Sequence, residues 1–83
     1  MVFFVLTRAG YDELVSLLGK PPSPLWVNLG VITELELMQL RQSGCEVTDF
    51  TRHIDCGDIE AAIAAVQEHH FGHRVWVEYA ADL

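Results

Sequence analysis

Three short clusters in this 83-residue sequence carry side chains that could grip an anion or move a proton: Thr7-Arg8, Asn28 and Thr51-Arg52-His53. Arginine presents a planar fork of donors that matches carboxylate and phosphate oxygens. Threonine and asparagine can orient a bound oxyanion, and histidine titrates near neutral pH. Together the six residues describe a site for a small anionic ligand, a phosphate or carboxylate, with Arg8 and Arg52 as its clamp and His53 as a proton carrier. The competing reading is plainer: Arg8 and Arg52 pair with Asp12, Glu13, Asp49 or Asp55 as surface ion pairs that bind nothing.

Two further groups invite chemistry and lose most of it on inspection. Cys56 stands at the threshold of a helix beside His53 and Asp55, where a thiol pKa can fall. Free cysteine is more often an inert core residue, so a buried Cys56 is the expectation. His69, His70 and His73 have near-helical ligand spacing, but Gly72 breaks the helix before His73, and histidines at a helix C-terminus are favoured by its dipole. No metal site is expected from them. The sequence contains no G-x-G-x-x-G, no phosphate-loop motif, no H-E-x-x-H, no G-x-S-x-G and no metal-spaced cysteine pairs. No cofactor is expected, and no catalytic signature stands out.

For the anion clusters to act together, the fold must bring them to one edge. Val2-Phe3-Phe4-Val5-Leu6 is apolar without alternation, so both faces of this strand must be covered, as in the middle of a parallel sheet. Ala9-Gly10 reads as a turn, followed by a helix over 11–18 with Asp12 and Glu13 in its first turn and Gly19 as its stop. Lys20 to Pro24 is a proline-rich loop. Leu25 to Leu29 forms the second strand, closed by Gly30. Thr33 and Glu36 then make a capping box and Ile32 and Leu37 a hydrophobic staple, which predicts a helix over 34–43 ending at Gly44.

Cys45 to Phe50 alternates as a third strand, half exposed. After a polar connection through Gly57, Asp58 serves as N-cap for a helix running to His70, with Gly72 beyond it. Arg74 to Tyr79 is the fourth strand, with Val75, Val77 and Tyr79 facing one way and Trp76 and Glu78 the other.

The βαβαβαβ order implies one α/β domain: a small open, mostly parallel four-stranded sheet with helices on both faces. Two doubly buried strands and two half-exposed ones favour the half-Rossmann-like order 3-2-1-4. The order 2-1-3-4 is the main alternative, and a ferredoxin-like α+β layout the third. Ligands of parallel sheets bind at the carboxyl ends of the strands, where Thr7, Arg8, Asn28, Thr51, Arg52 and His53 all fall.

Bulk properties narrow the partners. The net charge of −7 leaves Arg8, Lys20, Arg41, Arg52 and Arg74 as the basic residues, which argues against non-specific nucleic-acid or anionic-membrane binding. Two cysteines are too few for a disulfide scaffold, and no apolar run is long enough to span a bilayer, so a cytoplasmic location is expected. Domains of this size bury only about 60% of their unfolded surface, so pairing with a copy or another protein adds stability. Trp76 on an edge-like strand and Trp26 beside the proline loop could serve as contact residues. The first functional expectation is therefore a small non-enzymatic interaction or subunit module that self-associates as a homodimer or binds a protein partner. The alternative is a binder of a small anion, or weak enzyme, at the carboxyl ends of the strands.

Overall fold

β1 (Val2–Val5) is the interior strand its unbroken apolar run implies, flanked on both sides by parallel partners. The computed structural model describes residues 1–79. Within them, α1 (Arg8–Leu18), β2 (Leu25–Val27), α2 (Glu34–Gln42), β3 (Val47–Asp49), α3 (Ile59–His69) and β4 (Val75–Val77) follow in order. All pairings are parallel and the strand order is β3-β2-β1-β4, so the order 2-1-3-4 and the ferredoxin-like layout are set aside.

Alternation along β1 feeds two separate cores. Phe3 and Val5 join Tyr11 and Leu14 of α1 and Leu37 and Leu40 of α2 on one face; Val2, Phe4 and Leu6 join Ala62 and Val66 of α3 on the other. The chain steps from β1 outward to β2 and β3, then crosses back to β4. With crossovers of one hand, that reversal sends α3 to the opposite face from α1 and α2. β2 is buried throughout. Its Leu25 and Val27 enter the α1/α2 core, and Trp26, beside Phe50, enters the α3 core.

The capping box of α2 is present as predicted: Thr33 Oγ1 accepts from the Glu36 amide at 3.1 Å, and Glu36 Oε1 accepts from the Thr33 amide at 2.9 Å. Gly44 follows the cap with φ 96°, a left-handed conformation that glycine adopts without a Cβ penalty.

Several local expectations need correction. α1 begins at Arg8, not Tyr11, because the Thr7 hydroxyl accepts from the Gly10 amide and starts the helix there. Ala9-Gly10 is therefore helix rather than turn, and Asp12 and Glu13 fall beyond the first turn. β3 and β4 are shorter than predicted, and Tyr79 is solvent-exposed instead of sharing a packed face with Val75 and Val77. Asp58 occupies the N-cap position of α3 but gives its carboxylate to Arg52, not to the helix amides. Cys56 is exposed, against the expectation of burial, because the loop carrying it turns outward while Ile54 takes the core position. Trp26 is core, whereas Trp76 is 39% exposed.

Candidate functional site

The carboxyl ends of β1 and β4 meet where the chain reverses its direction of travel across the sheet. A crevice at this point is the usual ligand position in such folds, with a helix N-terminus aimed into it. Here the chain supplies its own anion. Glu78, just past β4, turns its side chain across to the start of α1. Its Oε1 accepts from the Leu6 amide at 2.8 Å and the Thr7 amide at 2.9 Å, and its Oε2 accepts from the Thr7 hydroxyl at 2.5 Å. The same Thr7 hydroxyl caps α1, so one side chain serves both the helix and the carboxylate. Gly10 makes the room: a methyl group built there would collide with the Glu78 carboxyl group.

The six predicted site residues do not gather at this point. Thr7 lies in the crevice, bound to Glu78. Arg8 points away to the α1/α2 layer, donating to Asp12 at 3.1 Å, to Glu36 at 2.8 Å and to the Val31 carbonyl at 3.2 Å. Its guanidinium carbon also lies 5.2 Å from the centre of the Tyr11 ring. Arg8 thus ties the first turn of α1 to that of α2. A cation in a helix's first turn opposes the dipole, and the two carboxylates offset this.

Asn28 is 1% exposed, its hydrogen-bonding groups fully occupied by backbone. Its Nδ2 donates to the Leu6 carbonyl at 3.3 Å and the Ile54 carbonyl at 2.9 Å; its Oδ1 accepts from the Leu29 amide at 2.9 Å and the Ile54 amide at 2.7 Å. It staples the ends of β1 and β2 to the segment that precedes α3. Thr51 and His53 are exposed, and Arg52 donates to Asp58 at 3.3 Å at the start of α3. The two arginines are therefore committed to different helix layers. Thr7 and Asn28 share the end of β1; Thr51, Arg52 and His53 stand on the loop after β3.

The residue missed by sequence reasoning is Glu78. The sequence places it within the fourth strand, on the same face as Trp76, but its partners lie about seventy positions earlier. The histidines at the end of α3 act locally. Trp26 Nε1 donates to His70 Nε2 at 3.1 Å, and the His69 ring lies 5.3 Å from that of Trp26. No group of three or more His, Cys, Asp or Glu among the described residues is placed to hold a metal ion. No helix among them is long and apolar enough to cross a membrane.

Electrostatics give the Arg8 bridge a measurable consequence. The Glu36 carboxyl is held down from its ordinary 4.5 to about 2, first by the hydrogen bond from Arg8 and then by that from the Thr33 amide. The folded state binds this proton more weakly than the unfolded chain does. The pair's contribution to stability is thus complete above pH 4.5 and is lost as pH falls toward 2. Glu36→Gln should therefore show a smaller drop in urea midpoint over that range than the unaltered protein; equal drops would remove the bridge from the acid response.

Comparison of the chain with protein-family models, curated proteins and solved structures yields no match. The fold and the crevice define a small parallel α/β domain whose switch point is filled by its own carboxylate.

Proposed function

We propose that the protein is a non-enzymatic interaction or subunit module that works by associating with a second copy of itself. The observation that carries this reading is the unequal treatment of the two sheet edges. An edge strand exposes a row of unpaired backbone groups, and proteins that stay single blunt such rows with charges or cover. β3 is blunted: Leu25 N and Phe50 N mark the side of β3 bonded to β2, so Val47 directs its carbonyl outward. Arg41 Nη2 and Nε donate to that carbonyl at 2.9 and 3.3 Å, and Asp49 adds a charge at 3.9 Å from Arg41. β4 has no such cover among the described residues. It reads Val-Trp-Val, without lysine, proline or bulge.

Trp76 supports the same reading. It faces the α1/α2 layer, where its ring lies 6.2 Å from that of Phe3, yet it keeps 39% of its surface in solvent. The small-anion reading has less support, because the crevice donors it would use already hold Glu78 and the two arginines already hold acids.

Sedimentation velocity at concentrations about a hundredfold apart tests the proposal. The expected result is a shift from monomer toward twice the mass as concentration rises. A monomer throughout would sink it, and chemical-shift changes at Leu6, Thr7 and Arg8 on adding phosphate or acetate would favour the anion site instead.

A further inference from the structure

Resting on that self-association, we infer that two copies join their β4 strands antiparallel about Trp76, with Arg74 of each copy beside Glu78 of the other. The backbone selects this pairing. Val2 N donates to the Arg74 carbonyl at 2.8 Å and Glu78 N donates to the Phe4 carbonyl at 3.0 Å. Arg74, Trp76 and Glu78 therefore spend their backbone groups on β1. By the alternation of a strand, Val75 and Val77 direct their N–H and C=O outward. Antiparallel pairing needs outward groups to meet outward groups. With the two-fold axis at Trp76, Val75 meets Val77 of the second copy, and each pair exchanges two hydrogen bonds.

Axes at Val75 or Val77 also satisfy the backbone, so the side chains must decide. Only the axis at Trp76 sets Arg74 against Glu78 twice, opposite charges across a non-hydrogen-bonded pair, where side chains approach most closely. Arg74 forms no ion pair among the described residues. In this arrangement it stands opposite Glu78 and sets a positive charge beside a carboxylate that Leu6 and Thr7 already hold. The two Trp76 rings lie side by side on the α1/α2 face, each against its own Phe3. The segment Arg74-Val75-Trp76-Val77-Glu78 is thus self-complementary in backbone, shape and charge, which is what a two-fold interface requires of one surface.

The test uses cross-linking and a charge reversal in the full chain, with Cys45 and Cys56 replaced by serine and folding checked by circular dichroism. In the inferred pairing Trp76→Cys places two thiols across a non-hydrogen-bonded pair with Cα atoms about 4.5 Å apart, within disulfide reach. A disulfide-linked dimer should form through position 76 and not through Val75→Cys or Val77→Cys. Arg74→Glu, which leaves Trp76 in place, should weaken the dimer about tenfold or more by setting like charges opposite each other. A dimer that instead cross-links through position 75 or 77, or that ignores Arg74→Glu, overturns this pairing and leaves self-association standing. A chain that sediments only as monomer overturns both.

Discussion

Replacing Asn28 with aspartate should lower unfolding free energy by about 3–5 kcal/mol, the range expected when a buried hydrogen-bonded group is lost and a charge is left in its place. The substitution changes almost no volume. It removes the two N–H donors that satisfy the Leu6 and Ile54 carbonyls and turns an oxygen toward both. At 1% exposure, water cannot take over those bonds. A chain of this length has about 4–12 kcal/mol of stability in all, so the variant should sit at the edge of folding. Urea unfolding followed by circular dichroism measures the loss. A loss under about 1 kcal/mol would mean that the staple is not what joins the ends of β1 and β2 to Ile54.

Glu78→Ala should cost about 2–4 kcal/mol, because two backbone amides and a hydroxyl lose a charged acceptor in a half-buried crevice. Glu78→Gln should cost less, since its carbonyl oxygen can still accept from the Leu6 and Thr7 amides. Gly10 supplies the sharper measurement. Glycine to alanine inside a helix ordinarily gains about 0.5–1 kcal/mol. At position 10 the sign should invert, because the new methyl group meets the Glu78 carboxylate. In the Glu78→Ala background the ordinary gain should return, and the double-mutant cycle then reads the collision directly. Additive effects of the two substitutions would show that Glu78 does not occupy the crevice in solution.

The architecture was readable because it depends on patterns that run along the chain. Val2 to Leu6 needs cover on both faces and β3 and β4 do not, which is enough to place β1 inside and to favour the observed order. The α2 capping box was readable for a related reason: Thr33 and Glu36 are three residues apart and satisfy each other.

The rim was harder, and each failure has a distant cause. Gly10 suggests a turn because glycine is poor in helices. It is tolerated in α1 because a carboxylate from beyond β4 must pass close by, and nothing near Gly10 announces that. Asn28 at a strand end suggests a ligand contact; its partners at Ile54 lie in a stretch whose polar neighbours read as an exposed loop. Arg8 has Asp12 within local reach at four residues on, but its bond to Glu36 depends on how α1 and α2 pack. Arg52 pairs with Asp58, an acid that local reading assigns to capping α3.

Arg41 has a consequence for the size of any assembly. Addition of copies edge to edge can continue without limit when β3 of one copy accepts β4 of the next, because such head-to-tail joins propagate as a filament. With the outward carbonyl of Val47 already bound by the Arg41 guanidinium, that route is obstructed. The β4-to-β4 pairing proposed above is not obstructed in this way, and a join of that kind leaves no matching edge behind it. An assembly built by the proposed pairing therefore ends at two.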